Sequence, residues 1–313
     1  MKIAFSLDTV NRSTQEPNMN RYALKFYWDE LFKLVGAGGF DAIEMPFNAM
    51  PKVRSWDPFS PVQLQARYGG AESFKKQLAE AGIKKVAGLF FTPSAGGHFG
   101  NSDVGSTDGY VRSMKRTAEA MLAQAKEFGS EYVVISISPE YCSMTALLDK
   151  KEELLEKLAV AYSELADKAG DIKICIRNEF WSILRGAQMH DFMAKVDPRV
   201  GYCVDLAHIA IAGDDPVEFI RKAGDRIGCV ILTDTCFEDK DECWKGPNPL
   251  FPPTCATQVF RDLGQGAIDL KAVFAALKEV GFDGWATVDN KMSKQVSRGI
   301  LRARYALNAV EEG

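Results

Sequence analysis

The phrase GYCVDLAHIAIAG at 201–213 places an acid and a histidine three positions apart. Asp205 ends a short apolar run, and His208 follows as the chain turns out of it. A carboxylate and an imidazole this close can bind a divalent metal, fix a substrate or exchange a proton with it. The alternative is that Asp205 caps a helix and His208 packs in the core. The chain has only three histidines, so one at this place is more informative than it would be in a histidine-rich chain.

Ionisable residues also end most of the other short apolar runs. They are Asp8, Glu44, Arg177 with Glu179, Asp234 and Asp289. Any single acid of this kind can be explained as a helix cap or a salt bridge at the rim of the fold. Acids at the ends of most runs instead predict that carboxylates converge, as they do in a divalent-metal site or an acid/base pair.

Eight apolar runs must position these residues. They are KIAFSL near Lys2, AIEMPF from Ala42, VAGLFF from Val86, YVVISIS from Tyr132, IKICIRNE from Ile172, VGYCVDL from Val200, IGCVILTD from Ile227 and GWATVD from Gly284. Runs this short, rich in β-branched and aromatic residues and flanked by Gly, Asp and Pro, predict strands. Their alternation with about eight helical patterns favours an α/β fold, a (β/α)8 TIM barrel, over an open doubly wound sheet. No linker divides the chain, so we predict a single domain over 1–313.

Two predicted βα connections are long. One follows the third strand from Thr92 to about Asp108, and the other follows the seventh from Thr235 to about Gly266. Loops beyond about 12–15 residues are uncommon unless they are functional or disordered. In a barrel both lie on the face where active sites form. We therefore predict substrate contacts from His98 in the first loop and from Trp244 and Arg261 in the second, although the aromatic residues could equally pack the loop or dock another subunit.

Composition excludes several classes of protein. The chain has 313 residues, 46% hydrophobic and 26% charged, with a formal net charge of −4. This charge gives no attraction to nucleic acid or to an anionic membrane. Seven irregularly spaced cysteines without a Cys-x-x-Cys pair favour a reducing compartment. No apolar run approaches 18 residues and the N-terminus shows no signal-peptide pattern, so we expect a cytoplasmic chain that acts on a small molecule.

Several phrases together resemble the xylose-isomerase-like sugar phosphate isomerase/epimerase superfamily. They are GYCVDLAHIAIAG, AIEMPF after GGF, RNEFWSILRG, and the long block DLGQGAIDLKAVFAALKEVGFDGWATVD at 262–289. The resemblance covers nearly the whole chain and implies a (β/α)8 barrel. It also implies a divalent metal, commonly manganese, magnesium, cobalt or zinc, and two glutamates on strands five and eight that move a proton between neighbouring carbons of a sugar through an enediolate.

Only some of the site residues that the family has are present at the matching positions of this sequence. The strand-six Asp and His match Asp205 and His208, but the strand-eight Glu falls on Asp289. The strand-five Glu falls on Arg177, with Glu179 two residues later. The strand-seven motif His-x-x-Asp is Ile231-Leu232-Thr233-Asp234 here, so its histidine is missing.

These departures leave two interpretations of the metal open. In one, Glu179, Asp205 and Asp289, completed by Asp234 or water, form an all-oxygen site for a hard cation. In the other, the chain has lost the metal and Arg177 occupies its place. In both, the resemblance implies Glu179 and Asp289 as the acid/base pair. His208 and Arg177 then contact the substrate, as does Glu44 at the rim.

We expect an isomerase or epimerase for a sugar, sugar phosphate or cyclitol. The alternatives are a lyase or dehydratase, a keto-glycoside-cleaving subunit of a two-protein complex, and a catalytically inactive sugar-binding barrel. The superfamily also contains a DNA-repair endonuclease, which three histidines and an acidic balance argue against. The sequence leaves open a homo-oligomer or a complex with a second subunit.

Overall fold

The computed structural model describes most of the chain. The described residues are 1–9, 25–47, 59–93, 106–138, 145–242, 259–291, 293 and 295–311. Residues 94–105 of the first long predicted loop and 243–258 of the second, which include His98 and Trp244, lie outside them. No helix within these ranges is long and apolar enough to cross a membrane.

Eight parallel strands form a closed barrel in chain order, which confirms the predicted fold. They are β1 (Lys2–Ser6), β2 (Ala42–Pro46), β3 (Lys85–Phe91), β4 (Tyr132–Ser136), β5 (Lys173–Arg177), β6 (Gly201–Asp205), β7 (Ile227–Leu232) and β8 (Trp285–Val288). Strand β1 pairs with β8, from Lys2 opposite Trp285 to Phe5 opposite Val288, and this pairing closes the barrel. Because all strands are parallel, their carboxyl ends share one rim.

Helices cover the outside of the barrel. They are α1 (Lys25–Ala37), α2 (Pro61–Tyr68), α3 (Ala71–Glu80), α4 (Thr107–Phe128), α5 (Lys151–Ala169), α6 (Gln188–Met193), α7 (Leu206–Ile211), α8 (Pro216–Ala223), α9 (Leu270–Glu279) and α10 (Val296–Glu311). Asp269 caps the start of α9, where its side chain accepts the Ala272 N–H at 3.0 Å. Gly281 lies just beyond its end with a φ of 71°.

The strands are buried on both faces, as parallel strands in such a barrel must be. Their outward side chains pack with the helices in one large core. A smaller set fills the inside of the barrel: Ala4, Ala42, Ala87, Phe90, Tyr132, Val134, Cys175, Cys203, Cys229, Ile231 and Trp285. The three cysteines inside the barrel therefore act as small apolar residues.

A polar network crosses the barrel interior towards its carboxyl rim. The Tyr132 hydroxyl lies 2.8 Å from Glu44 Oε2 and 2.8 Å from Thr287 Oγ1, while Ser6 donates to Glu44 Oε1 at 3.3 Å. The Tyr132 ring fits because its partner on β3 is Gly88. A Cβ atom on Gly88 would lie 2.4 Å from the ring. This network links strands β1, β2, β4 and β8.

Replacing Gly88 with alanine should destabilise the fold. The added methyl overlaps the Tyr132 ring, and overpacking of this kind costs about 1–3 kcal/mol. Urea unfolding of Gly88→Ala measures the loss. In a Tyr132→Ala background the same substitution should cost less, and an equal cost in both backgrounds would contradict the overlap.

Glu44 should make the stability of the protein depend on pH. Burial raises the pKa of Glu44 to about 7 from an ordinary value of 4.5. The folded state binds this proton more tightly than the unfolded state does. The contribution of Glu44 to the free energy of unfolding is therefore fully present below pH 4.5, and it is lost as pH rises through about 7.

Thermal unfolding of Glu44→Gln and the parent at pH 5 and pH 8 tests this dependence. Glutamine keeps the shape of the side chain but cannot ionise, so the variant should gain stability relative to the parent as pH rises. A stability difference that stays constant across this range would show that Glu44 does not titrate there.

Candidate active site

Three of the predicted site residues lie on neighbouring parts of the barrel rim. Arg177 is the last residue of β5 and Asp205 the last of β6, while Asp289 directly follows β8. Glu179 lies two residues beyond β5, and its side chain returns to the Arg177 side chain. Arg177 Nε donates to Glu179 Oε1 at 3.2 Å, and both side chains are buried. The same oxygen accepts a hydrogen bond from the Ser136 hydroxyl at the end of β4.

The Asp205 side chain does not cap a helix, although its position would allow it to. It stands at the N-cap of α7 but makes no capping hydrogen bond. Thr233 Oγ1 takes that role instead, accepting the Ala207 N–H at 2.7 Å and donating to Asp205 Oδ1 at 2.6 Å. The other carboxylate oxygen, Oδ2, is therefore left facing the charged groups of the rim.

Asp205 Oδ2 is the point at which these charged groups meet. It lies 3.5 Å from Lys291 Nζ, 3.7 Å from His208 Nε2 and 3.9 Å from an Arg177 terminal nitrogen. All four side chains are buried. The helix-cap explanation of Asp205 is thus not what its side chain does.

Lys291 is a site residue that the sequence analysis missed. Its Nζ donates to Asp289 Oδ2 at 2.7 Å, and its side chain is 8% exposed. The available signal was its spacing. Lys291 lies two residues after a strand-end acid, as Glu179 lies two residues after the strand-end Arg177.

Together these side chains form a row of alternating charges, which we call the charge row: Glu179, Arg177, Asp205, Lys291 and Asp289. Three carboxylates and two cations give it a net charge of −1 when all are ionised. Alternation is what allows so many charges to be buried, because each buried ion needs a partner of opposite sign.

The charge row shifts the pKa values of its members in different directions. Burial opposes ionisation of Asp205, yet the charges of Lys291 and Arg177 hold its pKa below the ordinary value. Burial raises the pKa of Asp289 to about 6, although Lys291 opposes the shift. Burial also opposes the charge of Lys291, but Asp289 and Asp205 raise its pKa above the ordinary value, so it stays an ammonium ion.

His208 is held as a neutral hydrogen-bond donor. The Phe180 backbone N–H donates to His208 Nδ1 at 3.2 Å, which requires the proton to be on Nε2. Burial lowers the pKa of His208 to about 3. The ring stacks on Phe180 and meets the edges of Trp181 and Phe260, with centroids 4.9–5.6 Å away.

Three buried polar atoms of this site have no hydrogen-bond partner among the described residues. They are Glu179 Oε2, Asp205 Oδ2 and His208 Nε2. A buried polar atom left unpaired costs about 1–3 kcal/mol, so such atoms point to a ligand. Two acceptors and one donor suit the hydroxyl and carbonyl groups of a polyhydroxylated ketone.

Three other predicted site residues, Asp234, Arg261 and Glu44, are not brought to the charge row by the contacts in the described part of the chain. Asp234 accepts backbone N–H groups from Thr235, Gly264, Gly266 and Ile268, at 2.8–3.3 Å. It therefore folds the turn ahead of α9, and both of its oxygens are used there. We leave it out of the proposed site.

The Arg261 backbone pairs with that of Asp234, and its side chain is exposed. Glu44 is buried in the polar network inside the barrel, hydrogen-bonded to Tyr132 and Ser6. Substrate binding by Arg261 and Glu44 thus stays a prediction. The same holds for His98 and Trp244, which lie outside the described residues.

The residues at this site do not fit a divalent metal. Two cationic side chains already lie between the three carboxylates. Two unit charges 4 Å apart interact by about 4 kcal/mol at an effective dielectric constant of 20, so a divalent ion beside either cation would meet about twice that repulsion. No group of three or more His, Cys, Asp or Glu side chains in the described ranges is arranged to hold a metal ion.

Comparison with known proteins finds curated relatives in part of the chain. A relative called inosose dehydratase, from Lacticaseibacillus casei, is 27% identical over 169 residues, which are 50% of this chain and 56% of the relative. The chain thus spans little more than half the length of that relative.

Solved structures share the fold over nearly the whole chain. The IOLI protein with a bound zinc atom has a TM-score of 0.63 at 20% identity, over 99% of this chain and 98% of its own. D-psicose 3-epimerase from Clostridium cellulolyticum, with D-tagatose, has a TM-score of 0.63 at 17% identity, over 100% and 99%. The family model described as the xylose isomerase-like TIM barrel matches residues 32–306. The chain therefore belongs to the xylose isomerase-like TIM barrel family.

Proposed function

We propose that this protein is an enzyme that removes a proton from the carbon next to the carbonyl group of a polyhydroxylated ketone, with loss of water as the outcome. The observation that supports it is the charge row beside three unpaired buried atoms. The name of the Lacticaseibacillus casei relative favours dehydration and a keto-cyclitol or similar keto-sugar as substrate.

The unpaired atoms of the site give the substrate its orientation. His208 Nε2–H donates to a substrate oxygen, and Glu179 Oε2 and Asp205 Oδ2 accept from substrate hydroxyls. Because His208 stays neutral, it polarises an oxygen without giving up its proton. The aromatic rings around His208 exclude water from that side of the site.

Asp289 is the base in this proposal. Its Oδ2 accepts a hydrogen bond from Lys291, and within the described ranges its Oδ1 accepts a longer one, at 3.4 Å, from the Thr9 hydroxyl. Oδ1 is therefore available to take the proton from carbon. A base whose pKa is about 6 is ionised at neutral pH and still accepts a proton readily.

Elimination then balances without an added reagent. The electron pair of the broken C–H bond forms the enediolate. As the carbonyl re-forms, this pair makes a C=C bond and expels the hydroxyl on the next carbon. The departing oxygen takes the proton that Asp289 now carries and leaves as water, which restores the carboxylate.

Epimerisation is the second candidate, and one observation favours it. Glu179 and Asp289 are the two ends of the charge row. An enediolate lying between two carboxylates can be protonated from the second side by Glu179 in place of losing hydroxide. The two reactions share the first step. Elimination returns the Asp289 proton to the leaving oxygen, whereas epimerisation starts with a protonated Glu179, which gives its proton to carbon, and leaves the first proton on Asp289.

Incubation of the protein with keto-cyclitols and ketohexoses in deuterium oxide, followed by NMR, tests the proposal. We expect loss of the α-hydrogen signal together with an unsaturated or diketone product. Asp289→Asn should lower the rate by about 10²–10⁴-fold, as removal of a general base does.

Asp171→Asn, at an exposed position away from the rim, should leave the rate unchanged and is the matched control. Deuterium at the α-carbon with an inverted centre and no water loss would support the epimerase. Binding of these ketones without any exchange would contradict both reactions and support the sugar-binding barrel.

The pH dependence of kcat/KM tests the choice of base. Since Asp289 must be ionised, kcat/KM should rise with pH through about 6 and level off above it. Stopped assays in overlapping buffers between pH 5 and 8 measure this limb. A flat profile across that range would exclude Asp289 as the base.

A further inference from the structure

We propose that the Lys291 ammonium group, supported by the Arg177 guanidinium group, occupies the place of a divalent cation in this site, so that the reaction proceeds without a metal. This inference deepens the proposed function and rests on it for the reaction. Its claim about metal binding is tested separately from turnover.

The position of Lys291 is the first argument. Its Nζ lies 2.7 Å from Asp289 Oδ2 and 3.5 Å from Asp205 Oδ2, between carboxylates from two strands of the rim. An ammonium group has three N–H donors. One donates to Asp289 Oδ2, while Asp205 Oδ2 is held only in a longer ion pair, so N–H groups remain for a substrate oxygen.

Arg177 is the second cation of the site and lies beside Asp205 and Glu179. It pairs with Glu179 at 3.2 Å and approaches Asp205 at 3.9 Å. Each carboxylate of the charge row therefore already has a side-chain cation beside it. A metal would have to displace one of these buried cations before it could bind.

The neighbouring strand contributes no further ligand. Asp205 is directly opposite Ile231 across the β6–β7 pair, and Ile231 is a buried apolar residue. The next polar residue on that strand end, Thr233, is hydrogen-bonded to Asp205 Oδ1. Each carboxylate of the charge row therefore has a cationic side chain beside it, which is the arrangement that a fixed ammonium ion needs.

A fixed ammonium ion can perform the electrostatic task of a metal in this reaction. Negative charge develops on the carbonyl oxygen when the α-proton leaves, and a positioned donor stabilises that oxygen without reorganisation. Loss of one such donor typically slows an enzyme by about 10²–10³-fold. Lys291 is thus the group that we assign to the enediolate oxygen, and Arg177 positions Glu179 and Asp205.

The test compares metal binding and turnover in four proteins: the parent, Lys291→Met, Lys291→Arg and the exposed-site control Lys240→Met. Manganese binding is measured by electron paramagnetic resonance on protein without substrate. The parent and the control should bind none at micromolar concentrations. Lys291→Met should gain a site, because Asp205 and Asp289 lose their cation.

Turnover by the parent should be unchanged by a chelator. Lys291→Met should lose about 10²–10³-fold in kcat, and Lys291→Arg should keep part of it. Circular dichroism measures whether each variant is folded. If Lys291→Met is unfolded, the kcat of Lys291→Arg still tests the role of Lys291.

Stoichiometric manganese in the parent, or loss of its activity with chelator, would overturn the inference. Lys291→Met with parental kcat, or with no gain in metal affinity, would also overturn it. If no ketone is turned over, the proposed function fails, and the binding titration still decides whether Lys291 takes the place of a cation.

Discussion

The site depends on one carboxylate oxygen, Asp205 Oδ2, which lies within 4 Å of a lysine, an arginine and a histidine. All of these groups are buried in the described part of the chain. A buried charge without a partner is destabilising by several kcal/mol, so the cations and the carboxylates are stable there only together. Loss of any one member therefore changes the surroundings of all the others.

The barrel supplies what this arrangement requires. Parallel strands bring residues that are distant in sequence, such as Arg177, Asp205 and Asp289, to a common rim. Packing inside the barrel fixes the strands beneath that rim, where Tyr132 joins Glu44 to Thr287. Thr233 then frees Asp205 from helix capping. Arg177 and Asp205 stand at the ends of strands, and Glu179, Asp289 and Lys291 lie within three residues of a strand end, which ties the site to the barrel.

The sequence predicts the barrel well because its signal is local. Each strand is a short apolar run, and the eight runs recur at a spacing that only a few architectures share. Asp205, His208, Glu179 and Asp289 could be found as candidates for the same reason, since active sites of barrels lie at strand ends.

The sequence does not specify which groups the residues at the strand ends contact. Asp234 ends an apolar run in the sequence, as Asp205 does, but backbone N–H groups some 30 residues later occupy it. Lys291 lies in no periodic pattern, and its role arises only when β6 and β8 bring two acids to it. Spacing makes Lys291 a candidate, but both outcomes depend on contacts between distant segments, which the sequence pattern does not specify.

The central claim is that the charge row acts as one unit around Asp205. A double-mutant cycle of Asp205→Asn and Lys291→Met, measured by urea unfolding, tests it most directly. We predict that the two effects are non-additive by about 0.5–3 kcal/mol, as for groups in one network. Effects that add within experimental error would show that Lys291 and Asp205 do not depend on each other, and would contradict this account.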